Sequence, residues 1–182
     1  PLYLFKETDP LVLAVRKAVS AGIVVVFAAG NNHVKVCRGN PTLDQPNTIW
    51  FLNSLDEVIT VGTVDEQNRM DGSRLDPNGW GHRDSSRGPG QLSRTTQKPD
   101  CVAPTYGECL WGSGYHSSVW WGTSGAAALV SGLAALLKSM DSRLTPEQVK
   151  EKIRSTCKSL SPLPGACVGA GLIDCKAATD AV

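Results

Sequence analysis

Two continuous apolar runs, both rich in β-branched residues, limit the fold of this chain more than any other feature. They are IVVVFAA at residues 23–29 and VITVGTV at residues 58–64. A strand that is apolar on both faces must be covered on both, and this occurs mainly in parallel sheets flanked by helices. A helix signal precedes the first run, with Asp9 as N-cap, Pro10 at the first helical position and Gly22 as the stop. This alternation predicts an α/β fold with a mainly parallel β-sheet flanked by helices.

Further elements follow from local signals. A short strand is expected at residues 101–103, and a capping box in TPEQ at residues 145–148 starts another helix. The tail GAGLIDCKAATDAV is expected to hold a short strand and then a helical turn. Residues 31–50 are expected to be loop, and residues 65–98 to be surface loops with short strands. The predicted buried face of the first helix consists of Leu11, Val15, Ala18 and Val19. The predicted buried face of the later helix consists of Val149, Ile153 and Cys157.

Composition narrows the classes of function. The 182 residues are 41% apolar and 19% charged, as in a soluble globular domain. The net charge of +1 gives no electrostatic reason to bind nucleic acid or a membrane surface. No apolar run reaches the ~18 residues of a membrane span. The first residues, PLYLFKETDP, include neither an initiator Met nor a signal-peptide pattern, so we expect a processed or excised piece.

The six cysteines leave two interpretations open. Their even number suits disulfides in an oxidising compartment, while buried free cysteines are also common. The spacings between Cys101 and Cys109 and between Cys167 and Cys175 are not those of a zinc site.

One hydroxyl lies at the start of a long apolar segment, WGTSGAAALVSGLAALLKSM at residues 121–140. Ser124 is predicted to lie where a helix begins, beside backbone N–H groups that have no partner within the helix. Either Ser124 caps the helix, or it is a nucleophile whose oxyanion those N–H groups stabilise. Asn31 follows the first buried strand, at the sheet edge where ligands bind in α/β proteins. Its amide could donate to the same oxyanion or simply form a turn.

Six segments, in this order, resemble the subtilisin-like serine proteases: AVSAGIVVVFAAGN, VITVGTVD, SSRGPG, KPDCVAP, GTSGAAALVSGLAALL and GAGLIDCKAA. The resemblance implies that Ser124 is the nucleophile, and that the Asn31 side chain and the Ser124 N–H form the oxyanion hole. It also implies a set of substrate-binding residues: Ala28, Ala29, Gly30, Gly122 and Thr123. The chain departs from the family at Gly125, where Met is usual, and at Ala128 and Leu129, where Pro and His are usual.

The resemblance further implies that two catalytic groups lie elsewhere. In this family the catalytic Asp and His precede the segment that matches residue 1, and none of His33, His82 and His116 lies in a matching motif. We therefore interpret residues 1–182 as the C-terminal, nucleophile-bearing part of a single subtilase catalytic domain. Its subtilisin-like α/β fold is expected to be incomplete without the N-terminal portion. The expected partners are that N-terminal portion and a protein or peptide substrate. The N-terminal portion is expected to be either cleaved and still associated, or absent. The chain alone is expected to be inactive.

No cofactor is expected for this chemistry. Many family members bind calcium in loops, but the acidic residues of the polar region match no calcium-binding pattern, so no metal is assigned. These residues are Asp65, Asp71, Asp76 and Asp84. The cysteines and the family's habits favour a secreted or otherwise extracytoplasmic protein. The alternative function is a non-catalytic module of the same fold that binds peptides or a partner protein, and the retention of Ser124 and Asn31 favours the enzyme.

Overall fold

A parallel sheet organises the structure, a computed structural model. The structure describes residues 6–33, 48–65, 68, 85–93, 97–105, 107–111, 114–120 and 122–182, with only the backbone for residues 107–111 and 114–120. The sheet has three strands in the order β1 (Val26–Ala28), β2 (Ile59–Val64) and β3 (Cys101–Pro104), all parallel. The predicted α/β fold with a mainly parallel sheet is confirmed.

The helices begin where their capping signals predict. Helix α1 (Pro10–Ser20) follows Asp9, whose Oδ1 accepts a hydrogen bond from the Leu11 N–H at 2.9 Å. The capping box is complete at the start of a later helix, where Thr145 and Gln148 bond to each other's backbone N–H. The other described elements are a 3-10 helix (Phe51–Ser54), the hairpin of β4 (Gly107–Trp111) and β5 (Gly114–Trp120), and helices α2 (Thr123–Met140), α3 (Pro146–Ser155), α4 (Gly165–Val168) and α5 (Cys175–Asp180).

Helix α2 forms the centre of the main core. It contacts all three strands of the parallel sheet, and its buried side chains include Val130, Leu133 and Leu137. Helix α2 has 18 residues and a mean hydropathy of 1.2, so by length and composition it could cross a membrane. The sequence did not predict this, because no uninterrupted apolar run reaches the length of a membrane span. Length and composition alone support that reading, and the core helix of a globular domain meets the same criterion. The contacts of α2 with all three strands favour a core helix, and 39% of the segment is buried within the described structure.

Strand β1 departs from the prediction in both length and burial. Of residues 23–29, only Val26–Ala28 form a strand, and all three residues are half-buried. Its position is the cause, because β1 lies at the edge of the sheet while β2 lies in the middle and is buried at all six positions. Ile23 stays 54% exposed.

The buried faces of two helices are mostly as predicted. On α1 the predicted burial of Leu11 is wrong: Leu11 is 56% exposed and Val12 is the fully buried residue. Val12 packs with Leu55 and Val58, so the helix is rotated relative to the predicted face. On α3 the predicted face is confirmed at Val149 and Ile153, which are buried in the main core; Cys157, just after the helix, is half-buried against that core.

The tail adds a strand-like segment beside β3, as predicted. Leu172 pairs in parallel with Val102 and antiparallel with Lys158, and α5 follows after Asp174 caps it. Among the described residues no disulfide is formed by the four cysteines with described side chains, which are Cys101, Cys157, Cys167 and Cys175. Cys37 lies outside the described residues and the Cys109 side chain is not described, so the disulfide interpretation has no support among the described thiols.

Candidate active site

Ser124 is the second residue of α2 and its side chain is exposed. The N-cap of α2 is Gly122, and no side chain caps this helix. The interpretation of Ser124 as an N-cap is therefore wrong. Among the described residues, no hydrogen bond engages the Ser124 hydroxyl, which leaves it accessible for reaction.

The Asn31 side chain is bound to the turn that carries Ser124. Its Oδ1 accepts two hydrogen bonds from Thr123, one from the backbone N–H and one from Oγ1, each of 3.0 Å. A backbone N–H can only donate, so the amide atom facing it must be the oxygen, and the orientation of the amide is fixed. The Asn31 NH2 group is then left as the free end of this side chain. This contact with a residue 92 positions away gives the Asn31 side chain a role beyond local turn formation.

Gly122 brings the Asn31 amide close to the backbone of the turn. Its φ of 74° is strained for residues other than glycine, and a Cβ placed there would lie 2.8 Å from Asn31 Nδ2. Glycine therefore permits both the turn and the close approach of the amide. The NH2 group lies beside the peptide that immediately precedes Thr123 and Ser124.

The first turn of α2 leaves one backbone donor beside this amide. The Thr123 N–H is bound to Asn31, and the N–H groups of Gly125 and Ala126 point to the Gly122 carbonyl at 3.2 and 3.5 Å. Within the described part of the chain, the Ser124 N–H has no acceptor. Asn31 Nδ2, which is held at the turn that carries Ser124, and the Ser124 N–H are thus two donors with no described acceptor at the positive end of the α2 dipole. Such an arrangement stabilises a negative charge that develops on an atom beside the serine.

The end of β1 is tied to the same turn. The Gly30 N–H donates to Thr123 Oγ1 at 3.1 Å, and the Ala29 N–H donates to the Val61 carbonyl at 2.8 Å. Ala29 is buried, while Ala28 and Gly30 are half-buried. The structure therefore brings all predicted substrate-binding residues to one place, the contact between the carboxyl end of β1 and the start of α2. Their predicted role in binding substrate stays a prediction.

The histidines supply no base to this site among the described side chains. His33 is 1% exposed and is engaged in contacts within the fold, and no hydrogen bond joins it to Ser124. His82 lies outside the described residues, and His116 is in β5, where only the backbone is described. The expectation that none of the three acts as the catalytic base stays a prediction.

Side chains that could bind a metal are not grouped in the described part of the chain. In the part of the chain that the structure describes, no group of three or more His, Cys, Asp or Glu side chains could hold a metal ion. Asp65 is buried and engaged in other contacts, and the remaining three Asp residues of the polar region lie outside the described residues.

Sequence reasoning missed the residues that anchor Asn31. Thr123 was singled out only as a substrate-binding residue, although it makes both bonds to the amide. Ser86 forms hydrogen bonds with the backbone on both sides of Asn31. Ser86 was included only as part of the SSRGPG segment, and no role was predicted for it. No local pattern announces either contact, because the partners are 92 and about 54 positions apart in the chain.

Comparison with known proteins identifies the family. The model of the subtilase family matches residues 5–171. The chain belongs to the subtilase family. Serine protease AprX of Bacillus subtilis is 31% identical over 96% of this chain, and subtilisin DY of Bacillus licheniformis is 32% identical over 91% of it. The chain spans only 39% and 50% of the lengths of these two relatives, respectively.

Solved structures of subtilisin-like proteases share the fold. A protease of Pseudoalteromonas arctica aligns with a TM-score of 0.62 and 25% identity, and the alignment covers 93% of this chain but 45% of that protein. The subtilase match is consistent with the C-terminal part of a catalytic domain.

Proposed function

We propose that this chain is the nucleophile-bearing part of a subtilisin-type serine endopeptidase. One observation supports the proposal most directly: the Thr123 N–H holds the oxygen of Asn31, so that the NH2 group is left beside Ser124. A hydrogen-bond donor at that place suits a developing oxyanion, whereas an acceptor would repel it.

The reaction forms an acyl-enzyme on Ser124. Its Oγ attacks the carbonyl carbon of the peptide bond while a His, on the N-terminal portion of the whole protein, takes the hydroxyl proton. The carbonyl oxygen becomes an oxyanion that accepts hydrogen bonds from Asn31 Nδ2 and the Ser124 N–H. When the C–N bond breaks, the amine leaves with the proton from the His and Ser124 keeps the acyl group as an ester. Water, deprotonated by the same His, hydrolyses the ester and regenerates the serine.

The contact between β1 and α2 is the proposed substrate-binding place. Ala28, Ala29 and Gly30 form one side and Gly122 and Thr123 the other, joined by the bond from the Gly30 N–H to Thr123 Oγ1. A peptide lying between them would present its carbonyl carbon to the Ser124 hydroxyl. The reaction needs no cofactor, since side chains and backbone supply every proton transfer and charge contact.

The N-terminal portion of the whole protein is the proposed partner, and an open sheet edge supports this. The backbone of β1 alternates: Val25 O and Ala29 N bond to β2, so the polar groups of Val24 and Val26 face the other edge, which is open among the described residues. Beside that edge is a groove of about 480 Å³ lined by Val24, Val25, Val26, Ser131, Ala134 and Ala135. An apolar groove beside a strand edge suits one more strand of the same sheet. That portion would carry the His and its Asp.

We also propose an extracytoplasmic location. A Xanthomonas campestris relative, 28% identical over 92% of this chain, is named an extracellular protease.

Labelling with a fluorophosphonate tests the proposed function. In the whole protein, the reagent should modify Ser124, and the Ser124→Ala variant should be neither labelled nor active on peptide substrates. Because Ser124 makes no capping bond, its replacement should leave the melting temperature unchanged. The matched control is Ser139→Ala, which removes another exposed hydroxyl of α2 and should leave labelling intact. Absence of labelling in a folded whole protein would favour the non-catalytic binding module instead.

A further inference from the structure

Two adjacent serines, Ser85 and Ser86, are fully buried between the ends of neighbouring strands. Ser86 contacts the chain on both sides of Asn31. Its backbone N–H donates to the Gly30 carbonyl at 2.7 Å, and its Oγ accepts a hydrogen bond from the Asn32 N–H at 3.2 Å. One residue thus spans the segment that carries the proposed oxyanion donor.

The contacts of Ser86 complete a set of restraints around Asn31. The Gly30 N–H is held by Thr123 Oγ1, and the same hydroxyl donates to Asn31 Oδ1. Gly30 has a φ of 104°, and a Cβ there would lie 3.0 Å from Ser86 Oγ, so the segment is closely packed against Ser86. Thr123 therefore orients the amide group, while Ser86 holds the backbone from which the amide extends.

We infer that Ser86 is a positioning residue for the oxyanion donor: it fixes the Asn31 backbone so that Nδ2 meets the oxyanion of the reaction. The inference rests on the proposed function. Stabilisation of an oxyanion depends on donors that are already in place. If a catalytic group such as this donor is displaced by about 1 Å, turnover can fall by up to about 10²-fold. Removal of the Ser86 hydroxyl frees the Asn32 N–H and allows such a displacement.

Ser85 provides the matched control. It is buried to the same extent, and its Oγ also accepts a backbone hydrogen bond, from the Thr63 N–H at 3.1 Å. That bond holds the carboxyl end of β2 and does not involve the segment of Asn31. The two serines therefore share burial and bond type and differ in the strand end that they restrain.

The test compares Ser86→Ala and Ser85→Ala in the whole enzyme by melting temperature, kcat and KM. Both variants should lose similar stability, but only Ser86→Ala should lower kcat, by about tenfold or more, with little change in KM. If Ser86→Ala fails to fold, Ser86→Thr keeps the acceptor oxygen and should retain kcat within about twofold if it folds. Equal kcat in the two alanine variants, or a change confined to KM, would overturn the inference.

A double substitution separates this role from a general structural one. If Ser86 acts through Asn31, Ser86→Ala should have no further effect on kcat in an enzyme that already carries Asn31→Ala. Independent, multiplying losses would contradict the inference. Failure of the proposed function is distinguishable, because Ser124 would then remain unlabelled by a fluorophosphonate in every variant.

Discussion

At the scale of single residues, the amide of Asn31 has two ends with different tasks. Its oxygen holds the turn through Thr123, and its NH2 group is available to an oxyanion. Asn31→Asp should separate them, because the carboxylate keeps an acceptor for the Thr123 N–H and loses the donor. We expect kcat to fall by about 10²–10³-fold, the range for loss of one such donor, with little change in KM or melting temperature.

Asn32→Ala is the control for that substitution. It removes the neighbouring amide side chain and leaves the hydrogen bond from the Asn32 N–H to Ser86 in place. Its kcat should stay within about twofold of the original enzyme. A rise in KM at unchanged kcat in Asn31→Asp would instead make Asn31 a substrate-binding residue.

Residues of this site differ in how far the sequence could predict them. Ser124 and Asn31 lie in motifs whose neighbours are small, and motif resemblance was sufficient to predict a role for each; both roles stay predictions. The competing role of Ser124 as a cap could be excluded only by the backbone, because Gly122 begins the helix. The role of Ser86 depends on contacts between distant segments, which no periodicity or propensity encodes.

At the scale of elements, the glycine that caps α2 and a glycine inside α2 have opposite requirements. At Gly122 a Cβ would lie 2.8 Å from Asn31 Nδ2 and φ is 74°, whereas at Gly132 nothing lies within 4 Å. Gly122→Ala should therefore lower kcat and destabilise the fold by about 1–3 kcal/mol, because a φ of 74° with a ψ of −177° is a backbone conformation essentially restricted to glycine. Gly132→Ala should leave kcat unchanged and stabilise α2 by up to about 1 kcal/mol.

Thermal unfolding and peptidase assays on the two variants check this prediction. Full activity in Gly122→Ala would show that the turn and the amide need no glycine. Both variants replace a glycine by alanine at the same helix. A difference between them in kcat or stability therefore reports the local contact of Gly122 rather than a property of the whole helix.

Element types were more predictable than their burial. Capping chemistry at Asp9 and Thr145 is local, and both helices begin where it predicts. Burial depends on neighbours, so β1, an edge strand, is half-buried although its sequence suits a central one. Leu11 is exposed for a similar reason, because the packing of Val12 sets the rotation of α1.

At the scale of the whole molecule, the open edge of β1 bears on activity. Residues 1–182 alone should hydrolyse peptides at no measurable rate, because a serine hydroxyl needs a positioned base. Addition of the N-terminal portion should restore hydrolysis, and covering the groove beside Val24 should reduce aggregation. Peptidase assays and light scattering, before and after the addition, test both effects. Activity of residues 1–182 that is lost on mutation of His33, His82 or His116 would contradict the prediction.

A buried ionic cluster joins the sheet to α3. Lys98 Nζ donates to Asp100 Oδ2 at 2.7 Å, to Thr60 Oγ1 at 3.0 Å and to the Val58 carbonyl at 3.1 Å. Asp100 Oδ1 lies 3.2 Å from Lys150 Nζ of α3. Burial lowers the pKa of Lys98 from 10.5 to about 8; Asp100 opposes this shift, and the nearby Lys150 adds to it.

This shift makes stability depend on alkaline pH. Between pH 8 and 10.5 the folded chain binds fewer protons at Lys98 than the unfolded chain, so the free energy of unfolding should rise with pH across this window. A shift of this size corresponds to at most about 3 kcal/mol. Because other groups titrate in the same range, the measurement is the difference between the original protein and Lys98→Met in urea unfolding at pH 7.5, 9 and 10.5. The original protein should gain stability relative to the variant as pH rises, and a constant or falling difference would show that Lys98 keeps an ordinary pKa in the fold.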